Sequence, residues 1–473
     1  MVFSSSVFLM AFLPLTLLAY FLVPARMVKA RNAVLLASSL VFYGWGEPKY
    51  IVVMLFSIVF NYVSGRIIGK YTGMNNKHRA RPMLVLCVFG NLALLGIFKY
   101  TDFVLDTINR LTAAGLTLPG IALPIGISFY TFQTMSYIID VYRGKVEPQK
   151  DLITFGAYVA LFPQLIAGPI VRYSDVAVML AGRRTNLEQA AEGVRRFIIG
   201  FGKKVLLANQ IYVVWMELSS MENLSVAAAW LGAVAFTFQI YFDFSGYSDM
   251  AIGLGKIFGF DYLENFNYPY ISRSITEFWR RWHMSLSSWF KEYVYIPLGG
   301  NRKGIARQLV NISIVWILTG LWHGASWNFV MWGVYYGIIL IVEKLGLLKV
   351  LQKCPSVIGH LYSLVLIVIG WVIFAIDDMG AVISYISMMF GSSGCFIDDA
   401  FLYFIQSRAW LVIACIIGST PLPKLVCNAV AQKLADRELL LSVLETALMM
   451  GILVLAIAFL VSGSYNPFLY FRF

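Results

Sequence analysis

The chain has 473 residues, of which 59% are hydrophobic and 13% charged, and its formal net charge is +12. With a positive mean hydropathy, this composition describes a polytopic membrane protein and not a soluble core. The basic residues are spread through loops between apolar runs, as the positive-inside rule expects, which argues against nucleic-acid binding.

Taken in order, the apolar runs predict helices at Val7–Val23, Ala33–Tyr43, Ile51–Ile68 and Met83–Phe98. The N-terminus lacks a basic n-region, since Arg26, Lys29 and Arg31 follow the first span, so it does not read as a cleaved signal peptide. Counting Lys and Arg places the loops at 26–31 and 66–81 in the cytoplasm and the N-terminus outside. An external loop near 100–120 follows. The stretch 123–144 is then interrupted by Pro124 and Gly126, and 161–175 by Pro163, Gly168 and Pro169. Irregular backbone at membrane depth needs protein or a water-filled cavity to receive it, so the breaks point to a cavity. Spans at Val194–Leu218 and Ala227–Phe258 come next. The second carries Gln239, Asp243, Ser248 and Asp249, which serve either helix capping and interhelical bonding or ligand binding.

The segment from Ser274 to Trp327 holds two of the chain's four histidines, His283 and His323. Ser274 and Glu277 form a capping box. On a helix of about 100° per residue, Ile275, Phe278, Trp279, Trp282, Leu286, Trp289, Phe290 and Tyr293 share one face. Arg280, Arg281, Ser287, Ser288, Lys291 and Glu292 take the other, with His283 at the border. Such a helix suits the membrane interface, where His283 is either an amphipathic tip or a functional group. His323 lies in a run without charge from Gln308 to Ile341, and an ionisable group at membrane depth is a functional candidate by default. Its alternative is a hydrogen bond to a neighbouring helix. Burial would keep its imidazole neutral and able to accept a proton. Gly320, Gly324 and Ala325 let a backbone or a substrate come close. Basic residues on both sides (Arg302, Lys303 and Arg307 before, Lys344, Lys349 and Lys353 after) make the run a hairpin with both ends inside. A turn near Gly320–Ser326 would put His323 at its tip, deep in the membrane.

Spans near Ile358–Ile376, Tyr403–Ile417 and Leu440–Val461 complete the count, with Lys424, Lys433 and Arg437 inside and the C-terminus outside. The tail SYNPFLYFRF suits an aromatic interfacial anchor. The five cysteines, Cys87, Cys354, Cys395, Cys415 and Cys427, form no CxxC pair and have no histidine at ligand spacing, so neither a disulfide framework nor a metal site is indicated. No acyl-serine signature such as GxSxG occurs.

SITEFWRRWHMSLSSWFKEYVYIPLGGNRKG, LTGLWHGASWNFVMWG, YFDFSGYSDMAIG and FPQLIAGPI together resemble the membrane-bound O-acyltransferase family. Within it they resemble the branch that O-acetylates alginate, other exopolysaccharides and peptidoglycan. The resemblance implies an all-α MBOAT fold of about 11–13 transmembrane and re-entrant helices around a central cavity. It implies a single integral-membrane domain over 1–473, with a catalytic core near 121–342 and an extracytoplasmic tail at 462–473. His323 matches the family's catalytic histidine, and His283 a second position that is His or Asn in different members. Acetyl-CoA is the expected acyl donor, and Arg302 and Lys303 either meet its phosphates or serve as positive-inside charge. The expected setting is the bacterial cytoplasmic membrane, with both termini extracytoplasmic. The expected partners are the lipid bilayer, a polysaccharide as final acceptor and an extracytoplasmic acetyltransferase or carrier protein. The tail resembles an aromatic motif whose central tyrosine, here Tyr470, acts as an acyl carrier. D-alanyl transfer to teichoic acid shares the two histidines and is the alternative within the family. A transporter or flippase without chemistry, or a scaffold for surface-polymer assembly, is the alternative outside it.

Overall fold

A computed structural model describes residues 1–166 and 168–463. Among these residues there is no β-strand, and eight helices are long and apolar enough to cross a bilayer. The chain is an all-α polytopic membrane protein, as the run of apolar segments predicts. Helices satisfy their own backbone donors and acceptors, which is why apolar sequence in lipid takes this form. Two compact units are distinguished, Met1–Phe197 with Ser248–Leu263, and Ile198–Tyr247 with the chain from Glu264 onward.

The first unit contains the helices Leu13–Leu22, Val28–Gly46, Ile51–Gly73, Lys77–Thr112 and Ile127–Arg143. The fourth of these has 36 residues, about 54 Å at 1.5 Å per residue, longer than a hydrocarbon core of ~30 Å. It therefore occupies parts of 66–81 and 100–120 that read as loops in the sequence. Asn76 starts it by accepting a hydrogen bond from the Arg79 N–H at 3.2 Å. The expected breaks are present. Gly126 takes φ 75°, which favours glycine, just before Ile127, and Phe162–Leu165 is a helix of four residues. Several polar groups inside this unit pair across helices. The amides of Asn61 and Asn91 exchange hydrogen bonds at 3.1 and 2.8 Å. Arg183 donates to the Tyr20 hydroxyl at 2.9 Å and to Asn32 Oδ1 at 2.6 Å. Asp249 pairs with Arg196 at 2.9 Å, so the interhelical reading holds for that aspartate.

The second unit is organised around the hairpin. Its helices run Ile305–His323 and Trp327–Val342, with the turn where the sequence places it. The glycines bring the two strokes together: a Cβ on Gly320 would collide with the Phe329 carbonyl, and one on Gly333 with the Trp316 carbonyl. The close approach expected of Gly320 is thus filled by the hairpin's own second helix. Asn328 ties the turn to the helix Ser356–Ala375 by donating to the Phe374 carbonyl at 3.2 Å. Asp243 forms a buried ion pair with Lys204 at 2.6 Å, again an interhelical partner as the sequence allows. Gln239 is buried, and its side-chain oxygen has no hydrogen-bond partner among the described residues.

Candidate functional site

The predicted amphipathic helix from Ser274 is two helices, Ile275–Arg281 and Met284–Phe290. No Pro or Gly breaks it. Instead the segment before it intrudes, with the Asn267 N–H donating to the Arg281 carbonyl at 2.9 Å and the Met284 N–H to the Asn265 carbonyl at 3.0 Å. Those two bonds replace helical ones and turn the chain sharply at His283, which adopts φ 45°, ψ 54°. For a side chain with a Cβ this left-handed conformation is strained, and such strain collects at functional sites.

The face assignment survives the break. All eight residues of the predicted apolar face are buried, while Arg280, Ser287 and Lys291 are exposed. That face packs on protein and not in a lipid interface, with Trp282 against Trp371 at 4.7 Å between ring centroids and Trp279 against Trp316 at 4.7 Å and Tyr336 at 5.0 Å. His283 is accordingly no interfacial tip, being 1% exposed. The capping box is half formed. Ser274 Oγ accepts from the Glu277 N–H at 3.0 Å, but the Glu277 carboxylate accepts from the Arg273 N–H, one residue before the cap. A second carboxylate reaches the helix start from afar. Glu343, 1% exposed, accepts from the backbone N–H groups of Ile275 and Thr276 at 2.7 and 2.8 Å and from the Thr276 hydroxyl at 2.6 Å. Negative charge at a helix N-terminus is favourable, and here it also satisfies buried donors.

The two histidines are brought to one place. Both contact the Trp322 ring, which lies 6.0 Å from the His283 ring and 5.0 Å from that of His323. His323, 5% exposed, is boxed edge-on by Trp332 at 5.0 Å and Phe374 at 5.4 Å. Edge contacts of this kind fix the plane of the imidazole. His283 meets Phe244 edge-on at 4.7 Å, and its Nδ1 lies 3.1 Å from Asn265 Oδ1. A pocket of about 220 Å³ reaches His283. Its walls include Trp279, Leu286, Ile312 and Trp316, and Arg280 and Lys291 lie along it.

Arg302 and Lys303 are not among the residues lining that pocket and sit in an exposed turn. The turn is held to the hairpin by Asn311, which donates to the Gly300 carbonyl at 2.9 Å. Tyr470 lies outside the described residues. Among the described residues no group of three or more His, Cys, Asp or Glu side chains could hold a metal ion. Asn265, Trp322 and Glu343 are not legible as site residues in the sequence alone. Of the three, Glu343 alone left a signal, a carboxylate closing an apolar run.

The family profile described as MBOAT, membrane-bound O-acyltransferase family, matches residues 148–352. The chain is 42% identical to a probable alginate O-acetylase of Pseudomonas putida, over 100% of both proteins. It is 34% identical to a peptidoglycan O-acetyltransferase of Helicobacter pylori, over 83% of this chain and 80% of that one. A teichoic acid D-alanyltransferase of Bacillus subtilis is 30% identical over 46% of this chain and 58% of its own length.

Proposed function

Because the chain belongs to the membrane-bound O-acyltransferase family, we propose that it passes an acetyl group from a cytoplasmic thioester, acetyl-CoA, across the membrane for O-acetylation of an extracytoplasmic polysaccharide. The observation that carries this reading is the convergence of His283 and His323 on one residue, Trp322. In acyl transfer to oxygen, a hydroxyl attacks the thioester carbonyl, the C–O bond forms, the C–S bond breaks and the thiolate leaves. The hydroxyl proton must depart as attack proceeds. His323 is the group we assign to take it, and the thiolate then recovers a proton from the imidazolium. Similarity to the O-acetylating relatives spans most or all of the chain, whereas similarity to the D-alanyltransferase covers less than half of it. This favours acetyl over D-alanyl transfer. The setting we assign is the bacterial cytoplasmic membrane with both termini outside, from the Lys and Arg count. A separate extracytoplasmic transferase or carrier protein is the proposed partner.

The pocket at His283 suits the donor, with apolar walls for its uncharged arm and Arg280 and Lys291 for its phosphates. These two replace Arg302 and Lys303 as the preferred phosphate contacts. Replacing both Arg280 and Lys291 by glutamine is expected to raise KM for acetyl-CoA about 5–30-fold with kcat little changed, the pattern of lost ground-state binding worth about 1–2 kcal/mol. Initial-rate kinetics on purified protein measures it. Arg302→Gln with Lys303→Gln is the comparison, and a larger KM effect there would return the phosphates to the turn.

For Tyr470 we keep the role of acyl carrier. Phenol (pKa about 10) and thiol (about 8.5) are leaving groups of similar quality, so thioester to aryl ester costs little. Tyr470→Phe keeps the ring and deletes the nucleophile. Polysaccharide acetylation in cells is expected to disappear in this variant and persist in Tyr465→Phe. Wild-type acetylation in Tyr470→Phe would leave only an interfacial anchor.

A further inference from the structure

The hydrogen bonds behind His283 decide which of its two nitrogens carries the proton. Asn265 Oδ1 lies 3.3 Å from the backbone nitrogen of Ser285 and 2.9 Å from its hydroxyl. A backbone N–H only donates, so the atom of the Asn265 amide facing it must be the oxygen. His283 Nδ1 approaches that same oxygen to 3.1 Å. If Nδ1 were bare, two lone pairs would confront each other, so Nδ1 bears hydrogen and donates. The Ser285 hydroxyl is also 3.4 Å from Nδ1, but its proton goes to the nearer Oδ1 and does not compete. Nε2 is buried and has no hydrogen-bond partner among the described residues. An imidazolium would leave a second N–H there with nothing to receive it, so the ring is neutral with its lone pair on Nε2.

We propose that Asn265, braced by Ser285, is a positioning residue that holds His283 as the Nδ1–H tautomer and presents Nε2 as a hydrogen-bond acceptor to an O–H or N–H of the bound substrate other than the attacking hydroxyl. An acceptor nitrogen cannot donate to a carbonyl oxygen. His283 therefore aligns the substrate and does not polarise the thioester, and the single hydrogen of the attacking hydroxyl is left for His323 to remove. The left-handed turn at His283 serves this arrangement, because the same Asn265 that accepts from Nδ1 also accepts the Met284 N–H on its carbonyl. One residue thus fixes both the backbone and the tautomer. The identity of that substrate group rests on the acyl-transfer reading, whereas the tautomer does not.

The test is nitrogen NMR of the full chain in lipid bilayers with ¹⁵N-labelled histidine, the His283 signals identified by their loss in His283→Gln. The expected result is a protonated Nδ1 and an unprotonated Nε2 in the wild type, retained in Asn265→Asp, which keeps the acceptor oxygen, and lost in Asn265→Ala. A protonated Nε2 in the wild type overturns the proposal. In the activity arm, Asn265→Ala is expected to lower kcat about 10–100-fold with KM unchanged, and Asn265→Asp to restore most of the loss. Equal impairment of the two variants, with the tautomer unchanged in both, would reduce Asn265 to a brace for the turn and sink the inference. Wild-type protein that transfers no acetyl group would count against the functional reading alone, since the spectrum still decides the tautomer.

Discussion

His323→Gln is expected to abolish detectable O-acetylation while leaving the protein folded and inserted. A positioned base contributes typically about 10²–10⁴-fold, and an amide cannot accept the proton at all. Glutamine is polar and close to histidine in volume, so the box of Trp322, Trp332 and Phe374 retains most of its packing. His323→Ala should be equally inactive but less stable, because it leaves a cavity among three rings. The check is acetylation of surface polysaccharide in cells, normalised to the amount of membrane-inserted protein. A normally inserted His323→Gln protein acetylating at the wild-type rate would remove His323 from the chemistry.

The second large effect concerns stability. Glu343→Ala is expected to cost about 3 kcal/mol or more, since it strands the Ile275 and Thr276 N–H groups at ~1–3 kcal/mol for each buried donor. It also removes one of the two carboxylates, Glu277 being the other, at the start of the helix that carries Trp279 and leads to His283. Glu343→Gln should lose less, because one side-chain oxygen still accepts. Thermal unfolding of the purified protein in detergent, followed by tryptophan fluorescence, ranks the three proteins. A melting temperature for Glu343→Ala equal to wild type would show that the carboxylate does not hold this helix.

Much of the second unit is legible in the sequence, and the reason is local. The hairpin follows from an apolar run too long for one crossing, with glycines where it must turn. The aromatic face follows from the 3.6-residue period, and every member of it is buried. What the sequence hides is set by partners far along the chain. Nothing between Trp282 and Met284 breaks a helix; Asn265 and Asn267 do so from a preceding segment that carries no periodic signal. That is a tertiary override of a sound propensity. Glu343 reads as the first charge of a loop, yet it caps a helix 67 and 68 residues away. The basic residues show the same limit. Arg280, Lys291, Arg302 and Lys303 look alike as charges beside apolar runs, and only packing puts the first two beside the His283 pocket. The juxtaposition of the histidines required the hairpin and the broken helix to be placed together, which no one-dimensional pattern contains.

The most direct measurement is transfer of radiolabelled acetyl from acetyl-CoA by purified protein, wild type beside His323→Gln, in the presence of acceptor polysaccharide. Label is expected on the protein or the polysaccharide with the wild type and on neither with the variant. Label appearing at the same rate in both, or no label from acetyl-CoA with the wild type, would contradict the proposed function.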